Sequence, residues 1–220
     1  MLVQIDTILS NPERQAIADA VADPAIWRDG TTTAKGEAKR VKQNLQANPD
    51  NTVVRGVVSK IEAALLANPV FVAAAQPESL IRLTLNRYDE GMAYGDHVDA
   101  PYIHGKRTDL SFTVFLSDPN DYEGGALTID NGGHEDAVKG PGGSVVLYPS
   151  TSVHRVDVVN AGTRLACVGW VKSRIRSGEE RQIIFELESI IADLQVAGTP
   201  LPTYNRLLNL RNNLLRAFGD

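Results

Sequence analysis

Hydrophobic positions along this chain change their period twice. From Ser10 to about Ala75 they recur every three or four residues, from Leu80 to Ser173 they alternate with polar ones, and beyond Arg176 the helical spacing returns. Val3 and Ile5 alternate with polar neighbours and predict an opening edge strand through about Leu9. Ser10-Asn11-Pro12-Glu13 sets a capping residue before a proline in the first turn, so a helix starts there and runs to about Asp23-Pro24. Gly30 to Thr33 reads as loop or strand. Ala38 to Ala47 reads as helix or ordered loop, with Lys39, Arg40 and Lys42 on a solvated face. Asp50-Asn51-Thr52 caps a helix whose Val54, Val57, Val58, Ile61, Ala64 and Leu65 share one side. Asn68-Pro69 ends it, and a further short turn reaches about Ala75.

The middle of the chain reads as strands. Leu80 to Tyr88, Asp109 to Leu116, Ala126 to Ile129, Ser144 to Tyr148 and Arg155 to Val159 are strand patterns separated by Gly- and Pro-rich turns such as Asp130 to Gly133 and Lys139 to Gly143. Seven or eight short strands at this spacing predict a mostly β core, a jelly roll or barrel with flanking helices. In the last strand, alternation turns Arg164, Ala166, Val168 and Trp170 inward and Leu165, Cys167 and Val171 toward the helices, so Cys167 is a small buried hydrophobe. Pro101 to Arg107, with His104, reads as a mobile loop at a substrate entrance. After a capping box at Ser177 to Glu180, a wide apolar stripe from Ile183 to Leu194 predicts a helix, and Tyr204 to Phe218 predicts a second. That stripe is expected to be buried on the protein's own sheet or in a homo-oligomer interface.

Composition narrows the partners. A net charge of −5 over 220 residues does not suggest a nucleic-acid partner. One cysteine rules out an internal disulfide and fits a reducing cytoplasm. Residues 1 to 6 lack a charged region followed by an apolar run, and no stretch approaches membrane-spanning length. The expectation is a cytoplasmic protein with no signal peptide and no membrane partner.

Chemistry concentrates in two stretches. His97 and Asp99 are two apart, so extended backbone turns an imidazole and a carboxylate to the same side. His154, between two strand patterns, is the best candidate for a third ligand. Two histidines and one carboxylate with open positions opposite form the facial triad of non-haem Fe(II) oxygenases. Arg164, ten positions on, offers a fixed fork for a carboxylate cosubstrate. Other readings stay open: a zinc-dependent hydrolase, a structural metal site, or a non-enzymatic jelly-roll ligand-binding module.

Asn86-Arg87-Tyr88, His97 with Asp99, Phe115 to Pro119, Tyr122 to Gly125, His154 with Arg164, and Gly169 to Ser173 together resemble the prolyl/lysyl-hydroxylase-type 2-oxoglutarate dioxygenases. The likeness is greatest to small bacterial PKHD-type hydroxylases linked to iron uptake. The resemblance implies a double-stranded β-helix with N-terminal buttress helices over about 10–78, a β core over about 80–174, a dioxygenase domain over 1–176 and a C-terminal helical extension over 177–220. It implies Fe(2+) on His97, Asp99 and His154, with 2-oxoglutarate, O2 and L-ascorbate as reductant. Hydroxylation of a peptidyl or small-molecule substrate would release succinate and CO2. It also implies cosubstrate contacts from Arg164 and Tyr88 and apolar walls from Leu127 and Val156. Some relatives hold the far carboxylate with a second tyrosine where this chain has Phe115; Ser111 or Thr113, on the same expected face, would replace that hydroxyl. Tyr94, Phe115, Trp170 and His104 are expected to line the pocket.

Overall fold

The computed structural model describes residues 1–33 and 36–220. The chain opens with β1 (Val3–Ile5) and α1 (Asn11–Ala20). A 3-10 turn over Pro24–Ile26 leads to β2 (Trp27–Asp29), a second over Gly30–Thr33 and then the one-turn α2 (Glu37–Arg40). Next come β3 (Lys42–Gln43), β4 (Leu45–Ala47), α3 (Thr52–Ala67), α4 (Pro69–Ala75), β5 (Pro77–Tyr88) and β6 (Ala93–His97). A small hairpin, β7 (Tyr102–Ile103) and β8 (Lys106–Arg107), precedes β9 (Leu110–Phe115), β10 (Tyr122–Gly124), β11 (Leu127–Asp130) and β12 (Glu135–Val138). The β region closes with β13 (Val145–Pro149), β14 (His154–Val156), β15 (Val159–Gly162) and β16 (Arg164–Ser173), followed by α5 (Gly178–Val196) and α6 (Leu201–Phe218).

Among the described residues these strands form a seven-stranded sheet in the order β1-β13-β9-β16-β5-β4-β2 and a five-stranded sheet in the order β12-β11-β14-β6-β3. All their pairings are antiparallel, as a jelly roll requires. Strand alternation divides the larger sheet between two apolar layers. In β9, Leu110, Phe112 and Val114 join an outer core with Ile17, Val54, Ile61 and Phe71 from the helices. Phe115 belongs instead to an inner core with Tyr88, Leu127, Ile129 and Val156, between the sheets. The Phe71 ring meets Phe112 edge-on at 5.8 Å. Each fully buried aliphatic side chain here contributes roughly 1.5–3 kcal/mol. In β16, Cys167 and Val171 lie in the outer core, as their alternation predicts.

Capping explains the helix starts. Ser10 and Glu13 form a reciprocal capping box on α1, Asn51 accepts from Val53 and Val54 at α3, and Asn68 accepts from Phe71 at α4. Five expectations need correction. Helix α1 stops at Ala20, because Pro24 imposes a new turn capped by Asp23. Gly30 to Thr33 is neither loop nor strand but 3-10, and Ala38 to Ala47 is helix only as far as Arg40 and then two short strands, their pairing supplied by β5 and β6. Pro101 to Arg107 is an ordered hairpin rather than a mobile loop. Arg107 ties it to Asp109 at 2.6 Å, to the Ser173 carbonyl and to Asp220 at 3.1 Å. Finally, α5 packs on α4 and α6 rather than on the sheet: Ile184, Leu187 and Ile191 are buried, while Ile183 and Ile190 stay about half exposed. No residue of α6 is fully buried.

Candidate active site

The inner faces of the two sheets enclose a cavity of about 420 Å³. His97, Asp99 and His154 converge in it, their ligand atoms all within 4.8 Å of one another. Register brings them together: β6 and β14 pair His97 directly with His154, and Asp99 follows two residues after the end of β6. The two imidazole centroids are 4.2 Å apart. Each ring is oriented through Nδ1, which donates to the carbonyl two residues earlier, that of Gly95 at 2.8 Å and that of Ser152 at 3.1 Å. A carbonyl only accepts, so the proton sits on Nδ1 and the neutral ring offers Nε2. His154 Nε2 lies 3.7 Å from Asp99 Oδ2. Tyr94 stacks on His97 at 3.6 Å, and the Tyr148 ring meets His154 at 5.1 Å. Burial, reinforced by the neighbouring His154, pushes the His97 imidazole down to about 4, so it stays unprotonated near neutrality.

Arg164 lies deeper, at the start of β16. It is 1% exposed, and Nε, Nη1 and Nη2 all lack a hydrogen-bond partner. A buried guanidinium presents five donors, and leaving them unpaired costs several kcal/mol unless an acceptor arrives. The rings of Tyr88 and Phe115 flank it at 5.3 and 5.7 Å, which sets the plane in which that acceptor must approach. Burial holds the Tyr88 hydroxyl up at about 12. Space for Arg164 depends on Gly125: at φ +60 it has the left-handed backbone that glycine tolerates, and an added Cβ would stand 3.2 Å from Arg164 Cδ and 2.9 Å from Val159.

Leu127, Val156, Tyr94, Trp170 and His104 all line the cavity, as expected, and so does Thr113; Phe115, expected there too, packs instead in the inner core against Arg164. Ser111 lines it too, but not in the expected role. Its hydroxyl donates to Asp99 Oδ2 at 2.6 Å and lies 2.8 Å from the Ser150 hydroxyl, so it orients the carboxylate of the triad rather than serving Arg164. Thr113 sits beside the Tyr148 hydroxyl. The hydroxyl missing at Phe115 has another candidate, Tyr122, whose buried oxygen lacks a partner and feels the charge of Arg164.

Two further residues escape the sequence reading, and a third, Asn86, enters it only as part of a motif. Lys42, expected on a solvated face, is 6% exposed and lines the cavity. Its Nζ donates to Thr33 Oγ1 at 3.1 Å and lies 5.1 Å from the centroid of the Tyr94 ring. Burial, with repulsion from Arg82, pushes its ammonium down to about 8. Arg82 occupies a bulge in β5: Val168 faces Thr84 and Trp170 faces Ile81, so Arg82 and Leu83 together oppose the single Gly169. Its φ of +48 is a left-handed conformation that costs a non-glycine residue roughly 1–3 kcal/mol. Asn86 joins the strands behind them, its Oδ1 accepting from Asn44 and Gln46 at 2.9 Å each.

Residues 83–172 match the family described as the 2OG-Fe(II) oxygenase superfamily. A PKHD-type hydroxylase of Acaryochloris marina is 38% identical over 220 residues, covering all of both chains. Among solved structures, a Trichoplax adhaerens prolyl hydroxylase in complex with a hypoxia-inducible-factor peptide fragment superimposes with a TM-score of 0.59 at 15% identity, covering 78% of this chain and 83% of the other. The α-ketoglutarate-dependent carbocyclase SnoK of nogalamycin biosynthesis gives 0.60 at 15% identity, covering 79% and 80%. The antiparallel jelly roll and its His-Asp-His cluster thus define an oxygenase of the class that uses Fe(II), 2-oxoglutarate and O2. Within that class, the chain belongs to the PKHD-type hydroxylases.

Proposed function

We propose that His97 Nε2, Asp99 and His154 Nε2 hold Fe(II), that Arg164 binds the far carboxylate of 2-oxoglutarate, and that the enzyme hydroxylates an unactivated C–H bond. The observation that carries this reading is Arg164, a fully buried guanidinium with no acceptor, in the same cavity as the triad. When bound, the iron, 2-oxoglutarate and O2 supply the oxidising power, with succinate and CO2 as co-products. The chain contributes position and shelter. Gly95 and Ser152 carbonyls fix both imidazoles, Ser111 fixes Asp99, and the Tyr94 stack fixes the plane of His97. Arg164 forms a charge-assisted pair worth roughly 1.5–3 kcal/mol. The Tyr122 hydroxyl, without a partner, stands ready for the same carboxylate and the Tyr88 ring flanks it, while Leu127 and Val156 exclude water. A zinc hydrolase would leave Arg164 idle.

The substrate is a peptide or a small molecule; the peptide-bound hydroxylase and the carbocyclase among the structural relatives support both. An ascorbate requirement belongs to the same reading and is checked by omitting it from the assay. The decisive test is an anaerobic titration with Fe(II) followed by 2-oxoglutarate, read as visible metal-to-ligand charge-transfer absorption. A saturable band is expected. If 2-oxoglutarate produces no spectral change and no thermal stabilisation, the assignment falls.

A further inference from the structure

Two cations at the outer end of the cavity take no part in the chemistry above. Lys42 is buried with one hydroxyl partner, Thr33, and one aromatic face, Tyr94. No carboxylate forms an ion pair with it among the described residues: Asp29 and Asp99 attract it only at a distance, and Asp99 is already committed to Ser111 and His154. Arg82 stands close enough to repel the Lys42 ammonium, and among the described residues its side chain has neither a hydrogen bond nor an ion pair. The backbone at Arg82 is also strained, with φ +48, in a bulge that turns its side chain to the cavity wall. Among the described residues, Asp99 is the only acidic one lining the cavity. Among the described residues, a buried ammonium without a counter-ion, next to a solvent-exposed arginine held in a costly conformation, leaves positive charge facing the space that a substrate enters.

We infer that the substrate presents a carboxylate group, received between Lys42 and Arg82, while its reacting carbon reaches the His97–Asp99–His154 centre. This rests on the oxygenase reading and names the substrate class for that site. Arg82 supplies a planar fork and Lys42 a point charge steadied by Thr33, a combination suited to a carboxylate. The far carboxylate of 2-oxoglutarate has its own arginine in Arg164, so the outer pair is left for the other reactant. Discrimination comes from both sides: a neutral amide in that place accepts a hydrogen bond but brings no counter-charge to either cation.

The test uses the full chain loaded with Zn(II), which is redox-inert, and N-oxalylglycine, an unreactive analogue of 2-oxoglutarate. N-acetyl-proline, N-acetyl-lysine and benzoate are each compared with their carboxamides by saturation-transfer NMR titration. At least one acid is expected to bind about tenfold tighter than its amide. Lys42→Met and Arg82→Gly should each cut that preference by about threefold or more, and the double variant should abolish it. Arg82→Gly should also melt higher than wild type, since glycine accepts the left-handed backbone, and so it serves if Lys42→Met folds poorly. Equal binding of acid and amide in all three pairs, or no binding of any of the six, overturns the inference, as does a preference that survives the double variant. A fall in N-oxalylglycine affinity in Lys42→Met as large as the fall in acid binding assigns Lys42 to the cosubstrate, and overturns it too. If wild type fails to bind N-oxalylglycine at all, the oxygenase reading itself falls, which distinguishes the two failures.

Discussion

The inner and outer ends of the cavity are anchored in the sheets in different ways. Arg164 begins β16, which is paired on one side with β5 and on the other with β9. His154 begins β14, held between β11 and β6. At these positions a one-residue slip would turn every side chain to the opposite face, so register on both sides fixes the chemistry. The outer end rests on lighter supports. Lys42 lies on a two-residue strand at the edge of its sheet, Arg82 on a bulge, and the β7–β8 hairpin closes the rim. An oxygenase built this way can keep its reaction constant while edge strands, bulges and hairpins change what it accepts.

The sharpest way to break this contrast is at the inner end. His154→Ala should abolish Fe(II)-dependent succinate formation while the variant keeps its far-ultraviolet circular dichroism, because the triad is assembled on a preformed sheet. A variant with wild-type iron affinity and turnover would remove His154 from the triad. Arg164→Ala comes next: the Michaelis constant for 2-oxoglutarate should rise by about tenfold to several hundredfold, with Fe(II) affinity in its absence nearly unchanged. Arg164→Lys should be intermediate, retaining charge without the fork. Arg164→Met should melt above wild type in the absence of ligands, since it replaces an unpaired buried charge with an apolar chain of similar length. A lower melting point would mean that Arg164 is already satisfied in the free protein. At the outer end, Asp220→Ala should be the mildest: Arg107 keeps Asp109, the lost pair is partly exposed, and the cost should stay below about 1 kcal/mol by urea unfolding. A cost of several kcal/mol would place the hairpin among the rigid elements and erase the contrast.

The same difference decided what the sequence disclosed. Arg164, His97 and Asp99 lie on or beside strands long enough for period-2 alternation to declare which way each side chain points, and the inward set of β16 follows from that alternation. Lys42 offered no such signal. A two-residue strand has no period, and lysine between Val41 and Gln43 reads as solvated until Thr33 and Tyr94 arrive from elsewhere in the chain. Tyr122 was missed for a related reason. Ser111 and Thr113 are the near choices on the strand of Phe115, whereas the fold brings a candidate in from β10, just before the turn at Gly125. The hairpin at 101–107 reads as mobile from its own residues because its anchors, Asp109, Ser173 and Asp220, are supplied partly by the far end of the chain.

Cys167 bears on how long such an enzyme survives its own work. Oxygen activation that runs without substrate generates damaging by-products inside the cavity, and the first casualties are the side chains within reach. The chain's one thiol lies on the opposite face of β16, fully buried against the helices, with burial pushing it up to about 12. It is therefore neither in the line of fire nor ionised enough to be an easy target. The wear falls on the cavity's aromatic lining, and peptide mass mapping after substrate-free turnover should find added oxygen on Tyr94 or Trp170 while Cys167 remains a free thiol.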